Sequence, residues 1–200
     1  MNAAELIAKA KTIVEEGYPD STWEGMIESV LSDLNPVAKM METIEITPTI
    51  VDGYCEIDIS SDISELYEIV IVSFKPTGKR KQTLRKLPPY DGVSLGWVRE
   101  NNKIKIQNLP GTGTVIVDYY AVLTMTVSGG DKIFNLPEEH HDVILKGLLA
   151  TVAQKEEELD RKNDFFGEYM MAKRELMAKR VQEMEPWYAQ VVAPTRLGGQ

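Results

Sequence analysis

The sequence is poor in the side chains that hold metals or form disulfides, with one cysteine and two histidines in 200 residues. The single cysteine, Cys55, excludes an internal disulfide and fits a reducing compartment. His140 and His141 are adjacent, so on a helix they would project about 100° apart and could not chelate one ion as an i, i+4 pair does. No second cluster of cysteine or histidine completes a zinc shell. We therefore predict a protein without a metal or a cofactor.

Long hydrophobic runs are absent as well. The longest apolar stretch, residues 143–153, is interrupted by Lys146 and is shorter than the roughly 20 residues that a membrane-spanning helix needs. The N-terminal stretch MNAAELIAKAK carries Glu5 and has no apolar core of the kind that signal peptides have. We expect a soluble intracellular protein that has no membrane partner.

Positive charge is also scarce, since 22 lysines and arginines stand against 31 acids, for a net charge of −9. This balance disfavours broad nucleic-acid binding, because phosphates attract cations. The exception is GKRKQTLRK, residues 78–86. Its five cations are Lys79, Arg80, Lys81, Arg85 and Lys86. Short basic runs lack specificity, so we interpret this stretch as a solvated loop, with a DNA-binding module built on these cations as the alternative.

Two kinds of periodicity are present, and the first is helical. Apolar residues recur at helical spacing through residues 3–16 and 22–34, and again in a long helix that opens at Leu136. Ser21 and Glu24 have the spacing of a capping box at the start of the second helix. Each helix has a single apolar stripe, so we expect the three helices to pack together.

From Thr43 the period changes to two, which is typical of half-buried strands. In YCEIDIS, Cys55 falls on the apolar side, which predicts a buried and inert thiol. Residues 97–107 predict a hairpin with Asn101 and Asn102 at its turn, and residues 114–127 predict one long strand. These segments together indicate a mostly antiparallel β unit.

The predicted fold class is therefore α+β, a helical bundle with an inserted, mostly antiparallel β unit and an extended C-terminal tail. We assign residues 1–42 and 136–185 to the bundle and residues 43–135 to the β insertion. Residues 186–200 form the predicted tail, because Pro186 ends the helical periodicity.

The stretch NLPEEHHDVILKG, Asn135 to Gly147, concentrates acids and both histidines, and it has two interpretations. As a helix start, Asn135 is the cap, Pro137 lies in the first turn and Glu138 has the capping-box position. As a site, Glu138 and His141 share a helix face and would form the centre of a small metal-dependent hydrolase. We favour the helix start, since each of its residues has a local structural reason.

A second apparent motif, GVSLG at residues 92–96, matches the G-x-S-x-G nucleophile elbow, and Ser94, Asp131 and His140 follow in the chain order of a hydrolase triad. That elbow needs a strand before it and a helix after it, whereas here a loop leads into a hairpin. We therefore predict no catalytic residue in this chain.

Four stretches together resemble the head-to-tail adaptor, or connector, proteins of tailed bacteriophages. A second helix containing LSDLNPVAKM is followed by the strand, acidic turn and strand of YCEIDISSDISELYEIVIV. WVRENNKIKIQNLPGTGTVIVDYY is similar to that family's tryptophan strand, hairpin, proline-glycine turn and tyrosine-ended strand. FNLPEEHHDVILKGLLATVAQKEEELDRKNDFFGEYMMAKREL is similar to its closing element, in which a leucine-proline pair opens a long helix. The resemblance covers most of residues 3–185.

The resemblance implies a structural virion protein that is not an enzyme and that lies in the neck between capsid and tail after synthesis in the host cytoplasm. Proteins of that family form homo-oligomeric rings, commonly of twelve copies, below the portal protein. The ring extends the channel through which genomic DNA passes, and it is a platform for a tail protein or a second neck protein.

The resemblance further implies that the C-terminal segment extends onto the portal. Five large apolar residues in a 12-residue span are unlike a solvating tail, and aromatic and arginine side chains are common interface anchors. We expect portal contacts from Trp187, Tyr188, Val191, Val192, Arg196 and Leu197. Cations near the axis of a channel would hold exiting DNA too strongly. We therefore expect the basic loop to contact a neighbouring subunit or a tail component through Lys79, Arg80 and Lys81.

Overall fold

The computed structural model describes residues 1–15, 17–63, 65–88, 94–155 and 159–192, with only the helical backbone described for residues 159–162 and 184–192. Within these ranges the chain forms five α-helices, one 3-10 turn and nine strands. The helices are α1 (Ala3–Val14), α2 (Asp20–Ala38), α3 (Ile59–Asp62), α4 (His141–Lys155) and α5 (Leu159–Val192), and the 3-10 turn is Glu138–His140. The strands are β1 (Met40–Ile46), β2 (Cys55–Asp58), β3 (Leu66–Pro76), β4 (Gln82–Lys86), β5 (Gly96–Glu100), β6 (Lys103–Gln107), β7 (Gly113–Ala121), β8 (Met125–Ser128) and β9 (Asp131–Phe134). The predicted α+β class is confirmed.

The chain divides into two compact units. The first comprises Met1–Lys39 and Leu123–Gln200, and the second comprises Met40–Val122. The first unit contains the four longer helices and the β8–β9 hairpin, and the second contains the other seven strands. No helix in the described part of the chain has the length and apolarity needed to cross a membrane.

The helices of the first unit pack around α4. Both α1 and α2 contact α4, which confirms that the three predicted helices bury their stripes against one another. The end of α4 lies beside the start of α5 and the start of α4 beside the later part of α5, so the two helices are antiparallel. The largest fully buried side chains of this unit are Leu6, Trp23, Ile27, Leu31, Leu34, Ile144 and Leu148.

The helix ends differ from several sequence expectations. The capping box occurs on α1, where Asn2 Oδ1 accepts from the Glu5 N–H at 2.8 Å and Glu5 Oε2 accepts from the Asn2 N–H at 3.0 Å. The predicted box of Ser21 and Glu24 is wrong, because α2 begins earlier, after Pro19, and has no side-chain cap. Glu24 instead forms an ion pair with Lys132 of β9 at 2.7 Å.

Two prolines lie inside helices and do not end them. Helix α2 includes Pro36 and continues to Ala38. Helix α5 includes Pro186 and continues to Val192, so the predicted extended tail is not extended over residues 186–192, and residues 193–200 lie outside the described residues. The physical reason is that the fixed φ of proline is itself helical, so a proline removes one N–H and bends a helix without having to end it.

The predicted single long helix is two helices, α4 and α5, which pack against each other. Apolar residues at helical spacing run through both, so periodicity alone does not reveal where the chain reverses. Gly167 lies inside α5.

The second unit is a seven-stranded sheet of order β1-β7-β3-β4-β5-β6-β2 in which the β4–β5 pair alone is parallel among the described strands. The sheet curls around one apolar core to which β2 through β7 all contribute. The predicted hairpin is confirmed as β5 and β6, with Asn101 at φ 52° in its turn. Residues 66–76 form β3, an interior strand that lies between β7 and β4.

The strand predicted over residues 114–127 is divided. β7 ends at Ala121, and β8 pairs with β9 in a separate two-stranded sheet. Between β7 and β8, two backbone N–H groups donate hydrogen bonds to side-chain amides. The Leu123 N–H donates to Asn35 Oδ1 at 2.6 Å, and the Thr124 N–H donates to Asn135 Oδ1 at 2.9 Å. Alternation of apolar residues continues through this break, so the pattern could not reveal it.

Candidate interface surfaces and the histidine cluster

The stretch with the two histidines begins α4 through a 3-10 turn. The turn starts after Pro137 and has no side-chain cap, so the prediction of Asn135 as the cap is wrong. Asn135 Oδ1 instead accepts from Thr124, and the chain becomes α-helical at His141. The interpretation as a helix start is correct, although its local contacts differ from those expected.

Glu138 and His141 have separate partners and do not form the alternative hydrolase site. Glu138 Oε1 accepts from the N-terminal amine of Met1 at 2.6 Å, and this contact lowers the pKa of the Glu138 carboxyl. His141 Nε2 lies 2.7 Å from the carbonyl oxygen of Leu136, and the His141 ring meets Phe134 edge-on with centroids 5.1 Å apart. His141 is therefore a core side chain that holds the turn before α4.

His140 lies near acids that sequence spacing did not identify. Ligating atoms of Glu139, His140 and Glu183 all lie within 4.8 Å of one another. His140 is buried, and its Nε2 is 3.6 Å from Glu139 Oε1, whereas both acids are exposed. Glu183 is 43 positions from His140 in the chain, and the antiparallel packing of α5 on α4 brings it to this place. We name Glu139, His140 and Glu183 the histidine cluster.

Neither candidate nucleophile has catalytic surroundings. Cys55 is 2% exposed, and burial raises the pKa of its thiol to about 11, so the prediction of an inert thiol is confirmed. Ser94 lies just before β5, so a strand follows it where a nucleophile elbow needs a helix. Residues 92 and 93 of the motif lie outside the described residues.

The five cations of the basic stretch have different environments. Lys79 and Arg80 are exposed in the turn between β3 and β4. Lys81 Nζ lies 3.7 Å from Asp118 Oδ2, whose carboxylate is largely buried. Lys86 Nζ lies 5.5 Å from the ring centroid of Trp97. The turn is solvated, as its composition predicts, whereas Lys81 forms an ion pair with Asp118 of the same compact unit.

The Asp118 carboxylate is held from two sides. It lies opposite Thr43 in the β1–β7 pair, and Thr43 Oγ1 donates to Asp118 Oδ1 at 2.7 Å. One strand position away, Tyr119 Oη donates to Glu42 Oε2 at 2.8 Å, and burial together with this acid raises the pKa of Tyr119 to about 12. These cross-strand pairs fasten the edge strand β1 and do not form an open site.

Helix α5 has an apolar stripe that the described residues leave uncovered. Phe166, Met177 and Val181 are 55%, 50% and 44% exposed, and with the partly buried Met170 they lie within about 60° of arc around the helix. The face that packs on the bundle is a different one, formed by Tyr169, Ala172 and Leu176. Helical periodicity includes these apolar positions but does not distinguish the covered ones from the exposed ones. We name Phe166, Met170, Met177 and Val181 the α5 stripe.

A groove of about 420 Å³ lies between α1, the start of α2 and the β8–β9 hairpin. Four of its five charged residues form ion pairs, since Lys11 contacts Asp20 at 2.8 Å and Glu24 contacts Lys132 at 2.7 Å. The rest of its lining is mostly small apolar residues, among them Ala4. Nothing in this groove resembles a catalytic arrangement.

The expected portal-binding residues lie at the limit of the described chain. The helical backbone of α5 includes Trp187, Tyr188, Val191 and Val192, but the structure does not describe the side chains of these residues. Arg196 and Leu197 lie outside the described residues altogether.

Comparison with known proteins identifies the family. No curated protein matches this chain. The family model described as the SU10 adaptor protein matches residues 1–194 and therefore spans both compact units and almost all of the chain. The chain belongs to the SU10 adaptor protein family, a family of phage head-to-tail adaptors.

Proposed function

We propose that this protein forms a ring below the phage portal, extends the channel through which genomic DNA passes and provides the attachment platform for a tail protein or second neck protein. In this proposal it is a structural, non-enzymatic component of the virion neck, and twelve copies form the ring. The observation that carries the proposal is the adaptor family match over residues 1–194. The surfaces of the described chain supply candidates for each contact.

The α5 stripe is the proposed contact with the neighbouring subunit. Three large apolar side chains on one face of α5 are each about half exposed. Contact of this apolar surface with water is unfavourable, and burying it against a second copy would remove that cost. A ring uses a heterologous contact, in which one surface of a subunit meets a different surface of the next. The stripe lies beside the buried face of α5, so a neighbour that covers it would continue the helical packing of the first unit.

The turn between β3 and β4, which we call the basic turn, supports a polar contact in the same assembly through Lys79 and Arg80. Copies that each carry a net charge of −9 repel one another, and exposed cations placed against a neighbour's acids would offset part of that repulsion. Lys79 and Arg80 are exposed and supply this contact. Lys81, held near Asp118, orients the turn from its own side.

For the portal contact we retain Trp187, Tyr188, Val191, Val192, Arg196 and Leu197. The backbone is helical to Val192, which favours docking of a helix into a groove of the portal over addition of a strand. Burial of aromatic side chains would offset the cost of ordering this segment.

The test of the ring is mass photometry of the purified protein, alone and with portal rings. We expect Phe166→Ser combined with Val181→Ser to reduce ring assembly by at least tenfold while the circular dichroism spectrum stays unchanged. Met171→Ser is the matched control, because Met171 is 63% exposed but projects about 140° away from Phe166. Assembly that is equal in the double variant and the control would contradict the assigned contact.

A further inference from the structure

The histidine cluster brings three potential metal ligands within 4.8 Å of one another. A zinc ion with bonds of about 2.0–2.1 Å holds tetrahedral ligand atoms roughly 3.4 Å apart. His140 Nε2 is 3.6 Å from Glu139 Oε1, and the third ligating atom, from Glu183, is within 4.8 Å of both. Both carboxylates are exposed and end flexible side chains, so small rotations would bring all three atoms to bonding distance.

A second observation is independent of the acids. His140 is 5% exposed, and its Nε2 is buried without a hydrogen-bond partner among the residues that the structure describes. Buried polar atoms in folded proteins are almost always partnered, so this nitrogen requires an explanation. It lies close to the carboxylates of Glu139 and Glu183, which can bind cations. An imidazole nitrogen is a common metal ligand.

We propose that Glu139, His140 and Glu183 bind one divalent transition-metal ion, with Zn²⁺ as the occupant. One imidazole with two carboxylates is a mixed nitrogen and oxygen set, which suits Zn²⁺. Ca²⁺ takes six to eight oxygen ligands and Mg²⁺ a near-ideal octahedron of oxygens, and three side chains that include an imidazole do not meet either requirement.

Arg180 is the competitor for this site. Its Nη1 contacts Glu183 Oε2, and its Nε donates to the carbonyl oxygen of Ala38 at 2.8 Å. An ion that enters the cluster competes with the guanidinium for the Glu183 carboxylate, and it also meets the positive charges of Arg180 and Lys179 near His140. Removing the charge of Arg180 should therefore tighten metal binding, whereas removing the charge of Glu183 should weaken it.

Metal binding would join two elements that are distant in the chain. Glu139 and His140 belong to the 3-10 turn before α4, and Glu183 lies on α5 directly before residues 184–192. The ion would hold α5 to the start of α4 at the point from which the proposed portal-binding segment continues. This role is structural and is independent of the ring contact proposed above.

The experiment is isothermal titration of the full-length protein with Zn²⁺ and, separately, Mg²⁺, supported by the visible absorption of bound Co²⁺. We expect one Zn²⁺ per chain and no Mg²⁺ binding. His140→Gln and Glu183→Gln should each weaken Zn²⁺ binding at least tenfold, and Arg180→Gln should tighten it severalfold. Glu183 is exposed, so Glu183→Gln remains informative if His140→Gln impairs folding.

The matched controls are Asp142→Asn and Glu175→Gln. Both residues line a cavity of about 140 Å³ that Glu139 and His140 also line, but neither belongs to the histidine cluster. Both controls should bind Zn²⁺ as the wild type does. No Zn²⁺ binding at up to 1 mM, or binding that Glu183→Gln leaves unchanged, would overturn the proposal. Ring assembly measured on the same variants separates this outcome from a failure of the adaptor function.

Discussion

Gly147 of α4 faces Val30 of α2 so closely that a Cβ atom added at Gly147 would lie 2.6 Å from Val30 Cγ1. The same atom would lie 2.9 Å from Cε2 of Tyr169 on α5. Three helices of the first unit therefore meet at a point where only a glycine fits. Tyr169 is further fixed because its hydroxyl donates to Asp33 Oδ2 at 2.5 Å, so the ring has little freedom to move aside.

We expect Gly147→Ala to lower the free energy of unfolding by about 1–2 kcal/mol. Alanine improves helix propensity by about 1 kcal/mol, but overpacking of a close helix contact costs about 1–3 kcal/mol, and neither Val30 nor Tyr169 can easily withdraw. Urea denaturation followed by circular dichroism measures the difference.

Gly167→Ala is the control for this substitution. Gly167 lies inside α5, and among the described residues no neighbouring side chain or other element comes within 4 Å of an added Cβ, so alanine there should stabilise the protein by about 0.5–1 kcal/mol. Equal effects of the two substitutions would show that the contact at Gly147 does not constrain the bundle.

The packing of the second unit can be tested by measuring how fast a reagent labels the Cys55 thiol. Because its thiol is 2% exposed and has a raised pKa of about 11, we expect almost no reaction with a thiol reagent at pH 8 in the native protein and complete reaction after denaturation. Rapid labelling of the native protein would contradict the burial of β2 against the core.

The same thiol makes stability depend on pH, with a sign that follows from the raised pKa. Above pH 9 the unfolded thiol loses its proton while the folded thiol keeps it, so the free energy of unfolding falls as pH rises from about 9 to about 11. A shift of about two pKa units corresponds to about 3 kcal/mol lost over that range. Cys55→Ala should lack this component, which comparison of urea denaturation at pH 8 and pH 10.5 would detect.

Charge reversal in the basic turn should affect assembly more than DNA retention. We expect Lys79→Glu with Arg80→Glu to weaken ring assembly or tail attachment at least tenfold, because both cations are exposed and available to a neighbour's acids. Lys81 is left unchanged because an acid there would face the buried Asp118 carboxylate. Mass photometry and tail-attachment assays provide the measurements.

Lys9→Glu is the control for this double variant, since Lys9 is exposed on α1 and its reversal also makes the chain more acidic. If the double variant assembles normally but loses salt-sensitive binding to duplex DNA, the turn contacts nucleic acid and does not contact a subunit or tail component.

Deletion of residues 187–200 should abolish attachment to portal-bearing capsids and leave the melting temperature nearly unchanged. The buried face of α5, with Tyr169, Ala172 and Leu176, lies well before the deletion, so the bundle keeps its packing. The shorter deletion of residues 193–200 retains helix α5 to Val192 and separates the helical part of the segment from its end. Undiminished docking of the longer deletion would exclude this segment from the portal contact.

The sequence by itself determined the elements that depend on local periodicity and local backbone geometry. The period of two predicted the β5–β6 hairpin and the buried side of Cys55, and the period of 3.6 predicted that the N-terminal helices and the helix after Leu136 pack together. The order of these elements also predicted the adaptor family, which residues 1–194 match. These features follow from residues that are close together in the chain, so a single sequence contains the information for them.

The tertiary structure alone decided the features that depend on distant residues. Helices α4 and α5 share one continuous apolar pattern, and only their packing against each other shows where the chain reverses and which apolar residues remain in the α5 stripe. The Asn135 side chain was expected to cap a helix, but it accepts a hydrogen bond from the Thr124 N–H. Glu183 lies close to His140 although the two residues are 43 positions apart in the chain. The physical reason is that a side chain takes the partner that folding brings within hydrogen-bond distance, and composition and spacing do not encode that distance.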